Sequence, residues 1–95
     1  MKFHNEVLTK EKMPNECIII FTQSNCDACS KLIDKIRDID FEFHILNEVS
    51  GSELGPLFTI FSAPTAIVIK GGEEITRFYG NKSSEYIEKI ITDNF

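Results

Sequence analysis

Cys26 and Cys29 stand three positions apart, with Asp27 and Ala28 between them, in the stretch TQSNCDACSKL that runs from Thr22 to Leu32. Two thiols at this spacing can close a reversible disulfide, supply half of a metal site, or fill space as small core residues. A structural zinc site takes about four ligands. The other candidates, Cys17, His4 and His44, are scattered singly, with no second C-x-x-C or H-x-x-H pair, so no metal site is expected. Cys17 reads as a small core residue, and His44 as a surface or internally satisfied histidine.

The elements that must position the pair decide between the remaining uses. ECIIIFT, Glu16 to Thr22, is a short apolar run rich in β-branched residues, which suits a strand buried on both faces. Directly after it, Cys29, Leu32, Ile33, Ile36 and Ile39 recur at three- and four-residue steps among charged residues, predicting an amphipathic helix from Asp27 to Ile39. FEFHILN, Phe41 to Asn47, reads as a second strand. Strand, helix and strand in this order form a βαβ unit with parallel strands.

The cysteines therefore fall beyond the carboxyl end of a buried strand, at the amino end of a helix, the edge where open α/β sheets carry their sites. Residues three apart on a helix share a face. Cys26, in the first turn or cap, meets unpaired N–H groups and the helix dipole, which favour the reactive thiolate. Cys29 lies one turn deeper, beside the apolar stripe. That asymmetry makes Cys26 the attacking nucleophile and Cys29 the resolving thiol of a redox pair. Asp27 opposes thiolate formation through its negative charge.

In the second half, SGSELGPLFTIF predicts a short helix, TAIVIK (Thr65 to Lys70) and ITRFY (Ile75 to Tyr79) predict strands, and Gly71-Gly72 indicates an antiparallel hairpin between them. SSEYIEKIITDN predicts a closing helix capped by Ser83, with an apolar stripe of Tyr86, Ile87, Ile90 and Ile91. The first dozen residues read as a helix carrying Phe3, Val7 and Leu8 or as a short edge strand, with the helix preferred. The expected fold is α/β: β-α-β then β-β-α, a four-stranded mixed sheet with helices on both faces, in a single domain over residues 1–95.

Composition bounds the rest. With 42% hydrophobic and 26% charged residues the chain reads as an ordinary globular protein. A net charge of −5 argues against nucleic acid as a partner, since phosphate binding needs clustered Lys and Arg. No apolar run approaches the ~20 residues that span a bilayer, so no membrane association is expected. The start, MKFHNEVLTKEKMP, is polar, and three cysteines is an odd number, so the expected location is the cytoplasm and the expected state a monomer.

SAPTAIVI adds a second feature, a proline at a strand start, where it owes the sheet no N–H. Taken together, Cys26-x-x-Cys29 after IIIFT, Ala63-Pro64-Thr65 some 35 residues on, and IVIKGGEEITRFYG after that resemble the thioredoxin family from about Cys17 to Ile91. The resemblance implies a thioredoxin-like fold and a cis bond before Pro64, beside the two cysteines. It also implies that the Ala63 backbone pairs with an extended substrate segment. The implied activity is reduction of protein disulfides by thiol–disulfide exchange. Cys26 and Cys29 are then catalytic, and Asn25, Asp27, Ala28, Ala63, Pro64 and Thr65 form the substrate-binding site. No cofactor is implied beyond the Cys26–Cys29 disulfide. The implied partners are disulfide-containing proteins and a thioredoxin reductase or other thiol donor.

The chain departs from the common pattern at three places. Asn25 stands where many thioredoxins carry Trp, Asp27-Ala28 where Gly-Pro is common, and Ile20 where they bury an acid that takes the second cysteine's proton. Two other readings remain: a glutaredoxin-like, glutathione-dependent reductase, and a redox-sensing or binding module with little turnover on the same fold.

Overall fold

The computed structural model describes residues 2–4, 10–47 and 54–95. Strand β1 (Lys2–His4) is followed by a 3-10 turn at Lys10–Lys12, then β2 (Glu16–Thr22), α1 (Asp27–Ile36), β3 (Glu42–Asn47), α2 (Leu54–Phe58), β4 (Thr65–Lys70), β5 (Glu73–Tyr79) and α3 (Ser84–Asn94). The strands form one mixed sheet in the order β1-β3-β2-β4-β5. Strand β2 runs parallel to β3 and antiparallel to β4, so it is hydrogen-bonded along both edges.

Both faces of β2 are covered. Ile18 and Ile20 join Leu32 and Ile36 of α1, Phe43, Ile45, Ala66, Val68, Phe78 and Ile87 of α3 in one apolar cluster. Cys17, Ile19 and Phe21 point the other way, into a second cluster with Leu46, Ile67, Ile69 and Leu54 of α2. Successive strand side chains alternate between faces, so a continuous apolar run satisfies both layers at once. The chain end of β2 is pinned by Thr22, whose hydroxyl donates to the Leu46 carbonyl at 3.2 Å and to Asn47 Oδ1 at 2.8 Å.

The βαβ unit, the hairpin and the closing helix agree with the sequence reading. Gly71 and Gly72 adopt φ of 65° and 77°, the left-handed pair that a two-residue hairpin turn requires. Only those two residues turn the chain; Glu73 and Glu74, expected in the turn, already belong to β5. Ser83 caps α3 by accepting from the Tyr86 N–H at 3.1 Å. The first helix stops at Ile36 rather than Ile39, yet Ile39 remains buried, because two shorter-range bonds, Asp38 N–H to Lys35 and Ile39 N–H to Ile36, carry the chain on as a tightened turn.

The amino-terminal segment corrects an expectation. The helix was preferred there over a short edge strand, but the strand is what forms: Lys2–His4 pairs in parallel with Glu42–His44. The four expected strands are all present and this fifth one adds an edge. The exposed ladder of β3 offers unpaired N–H and C=O groups, and pairing with them outweighs a weak helical pattern. Val7 and Leu8 lie outside the described residues, as does the start of the segment expected to form the second helix; that helix is observed over Leu54–Phe58.

Two outcomes follow. Leu32→Ala, which opens a void in the cluster between α1 and the sheet, lowers unfolding stability by about 2–5 kcal/mol in urea titration, whereas Leu57→Ala, at a half-exposed site, changes it by less than about 0.5 kcal/mol. Burial, reinforced by the charge of Glu42, pushes the Cys17 thiol from 9.0 up to about 12. A raised folded-state value means that the stability tied to this thiol is fully present below pH 9 and is lost as pH rises toward 12. Stability measured across that window therefore falls less in Cys17→Ala than in the parent chain, and native Cys17 resists alkylation that reaches it once the chain is unfolded.

Candidate redox site

Three segments converge where β2 ends. Asn25 adopts φ of 57°, a left-handed conformation that Asn tolerates better than most residues, and turns the chain into α1. Cys26 is the N-cap, in extended conformation, and its Sγ accepts the Cys29 backbone N–H at 3.1 Å. One of the orphan donors of the helix start is therefore satisfied by sulfur where a serine or aspartate oxygen would ordinarily serve. The same geometry favours negative charge on Sγ when the pair is reduced.

Cys26 and Cys29 are joined in a disulfide with their Cα atoms 5.2 Å apart, within the ordinary range for such a bridge. Cys26 is half-buried and reachable; Cys29 is 3% exposed, seated at the top of the α1 stripe above Leu32. Asp27 is exposed and Ala28 half-buried on the outer surface of the first turn. Ile20 is fully buried in the cluster that α1 covers, so the position noted for an acid is apolar in space as well as in sequence.

The third segment precedes β4. The Ala63–Pro64 bond is cis, as the family resemblance implied. The Ala63 carbonyl oxygen lies 3.8 Å from Cys26 Sγ, across a separation of 37 residues. Pro64 is buried beneath it. Thr65 is also fully buried, and its hydroxyl donates to the Ser62 carbonyl at 2.8 Å; its side chain braces the loop from within instead of facing outward. The loop after β5 is fastened to the same place. The Gly80 N–H donates to the Pro64 carbonyl at 2.9 Å, and the Lys35 ammonium of α1 donates to Asn81 Oδ1 at 2.7 Å and to the Lys82 carbonyl at 3.0 Å.

Of the residues expected at the site, Cys26, Cys29 and Ala63 are brought into direct proximity, Asn25, Asp27 and Ala28 frame the first turn, and Pro64 and Thr65 support the loop from below. His44 is not part of this edge: it is buried mid-strand with Nε2 2.7 Å from a Glu42 carboxylate oxygen, two residues away. Among the described residues no group of three or more His, Cys, Asp or Glu is arranged to hold a metal, and no helix is long and apolar enough to cross a membrane. Two features were missed from sequence. The Lys35 tie links residues 46 and 47 positions apart and had no local signal. Phe61 read as the end of a helix, but α2 stops at Phe58 and Thr59 turns with φ of 58°, leaving Phe61 in the loop before Pro64.

Comparison with known proteins agrees with this geometry. No family model matches the chain. Thioredoxin H2 of Arabidopsis thaliana is 27% identical over 93 residues, covering 90% of this chain and 66% of that protein. Thioredoxin H2-2 of Oryza sativa subsp. japonica is 29% identical over 83 residues, covering 81% of this chain and 62% of that protein. The matched region thus spans slightly less than two thirds of these relatives. The crystal structure of a reduced Schistosoma mansoni thioredoxin superposes with a TM-score of 0.82 at 19% identity, covering 100% of both chains. The structure of Fasciola hepatica thioredoxin superposes with a TM-score of 0.69 at 23% identity, covering 82% of this chain and 80% of that one. In its fold, in the thioredoxins among its relatives and in its bonded Cys26–Cys29 pair, the chain is thioredoxin-like.

Proposed function

We propose that the protein is a thiol–disulfide oxidoreductase that reduces protein disulfides by a dithiol mechanism. The observation that carries this reading is the asymmetric pair at the start of α1: Cys26 capped by the Cys29 N–H and open to approach, Cys29 buried behind it. In the reduced protein the Cys26 thiolate attacks one sulfur of a substrate disulfide. That S–S bond breaks, and the departing thiolate takes a proton from solvent. Cys29 then loses its proton and attacks Cys26 Sγ, releasing the second substrate sulfur as a thiol. The substrate gains two electrons and two protons; the protein is left with the Cys26–Cys29 disulfide, which a thioredoxin reductase or another thiol donor reduces again.

Ala63 offers its backbone to an extended substrate segment, with Asn25, Asp27 and Ala28 on the rim and Pro64 and Thr65 holding the loop in place. Ile20, apolar and fully buried, supplies no carboxylate to take the Cys29 proton. A buried thiol, Cys17, left free in the same chain as the bonded pair suits a reducing compartment, and we place the protein in the cytoplasm.

Insulin disulfides supplied with a thioredoxin reductase system test the reading against the same assay run with glutathione and its reductase. Turnover in the first supports it; turnover confined to the second supports a glutaredoxin-like enzyme; none in either, with the fold intact, leaves a binding or sensing module. Cys26→Ser abolishes turnover, and Cys29→Ser accumulates a mixed disulfide visible by mass spectrometry. The reduced Cys26 ionises below the free-cysteine value of about 8.5, because the helix terminus outweighs Asp27. Asp27→Asn then lowers the alkylation midpoint by a further ~0.5 pH unit, the size of the Coulomb repulsion across about 6 Å of near-bulk water. An unchanged midpoint would show that the repulsion is screened out.

A further inference from the structure

We propose that Asp27 and Phe61 are specificity-determining residues of this site, selecting disulfides carried in an extended, basic polypeptide segment that places an apolar side chain next to its cysteine. The inference rests on the thiol–disulfide reading above and adds to it the chemistry of the preferred substrate. Phe61 is 89% exposed, nearly twice the exposure of Leu57 at 47%. The chain on either side of it is anchored: Ile60 is buried in the lower cluster, with its N–H donating to the Gly55 carbonyl at 2.9 Å, and Pro64 is buried. The phenyl ring is thus held out into solvent by a fixed loop, which preorganises it for a partner. Phe61 precedes by two residues the carbonyl that lies 3.8 Å from Cys26 Sγ, so its Cα is at most about 7.6 Å from that of Ala63.

Asp27, the residue after Cys26, lies on the other segment that meets at the reactive sulfur, in the first turn of α1. It is exposed and forms no ion pair among the described residues. A substrate segment that lays its cysteine on Cys26 therefore has an exposed carboxylate and an exposed aromatic ring within reach, one from each of the two segments that meet there. Charge decides the occupant. The chain carries −5 overall, so a second copy would bring like charge and a second Asp27 to the contact, whereas a basic segment is attracted at long range and paired at short range.

The test uses symmetric disulfide-linked dimers of short peptides, whose cysteine is flanked by Arg or Glu on one side and Leu or Gly on the other. The reduced full chain is mixed with each peptide and the rate of Cys26–Cys29 oxidation is read by acid quench and chromatography, with bis(2-hydroxyethyl) disulfide as a neutral reference. The dithiol supplies both electrons and the peptide leaves as two thiols, so no other reductant enters. The expected preference is about tenfold for Arg over Glu at low salt and about fivefold for Leu over Gly. Asp27→Asn collapses the first ratio and spares the second; Phe61→Ser collapses the second and spares the first, and Phe61→Leu restores it. Each ratio is taken within one variant, so any change in Cys26 reactivity cancels. Equal rates for all four peptides with the parent chain reducing the reference, or ratios that survive the substitutions, overturn the selectivity and leave the redox reading standing. Failure to reduce the reference and every peptide overturns both. Loss of a dimer in Phe61→Ser by sedimentation, with the peptide ratios unmoved, assigns Phe61 to self-association and overturns the proposal.

Discussion

Strand β2 is hydrogen-bonded along both edges and buried on both faces from Cys17 to Thr22. Removing any of that backbone from its ladders would strand N–H and C=O groups away from water, at a cost comparable to a lost hydrogen bond for each. The strand is therefore the least adjustable part of the molecule, and everything at its carboxyl end is referred to it. Thr22 locks that end to β3 through two hydrogen bonds. Five residues later the chain has turned through Asn25 and begun α1, whose Leu32 and Ile36 pack back onto Ile18 and Ile20. The position of the two sulfurs is the consequence of this path: the helix can begin only where the strand has left the sheet, and its first donors must find partners there.

A cap made of sulfur joins structure to chemistry. The bond from the Cys29 N–H to Cys26 Sγ satisfies a helix terminus and biases the sulfur toward negative charge in the same contact. The loop before β4 completes the arrangement from a distant part of the sequence, and it is secured at several points. Thr65 holds Ser62, Gly80 holds Pro64, and Lys35 holds the residues after Gly80 from the back of α1. The first bond is internal to the loop, the second joins it to the loop after β5, and the Lys35 bonds tie that loop to α1, so the rim around Cys26 is built on a supported frame despite lying in loops. The side chains this frame turns outward, Asp27 and Phe61, are free to differ without disturbing it, which is where one thioredoxin-like chain can be distinguished from another.

Much of this was legible in the sequence because local physics and the final fold agree. The run ECIIIFT suits a strand with two buried faces, the stripe from Cys29 to Ile36 fits a helix lying on it, and Gly71-Gly72 marks a hairpin by conformational freedom. Two adjacent elements then place Cys26 and Cys29 without reference to the rest of the chain. The amino-terminal strand was legible only as the less favoured of two options, because three residues with a weak pattern acquire their conformation from the open edge of β3 rather than from their own preferences.

The sequence by itself determined the reactive pair, its asymmetry and the architecture beneath it, since those depend on periodicity and on contacts within a few residues. Only the tertiary structure decided what faces the pair. The approach of Ala63 to Cys26 spans 37 residues, the Lys35 tie spans 46 and 47, and the exposure of Phe61 depends on where α2 ends and on the burial of Ile60 and Pro64 around it. Contacts of that kind are set by how layers pack, and packing leaves no periodic trace in the residues that it brings together.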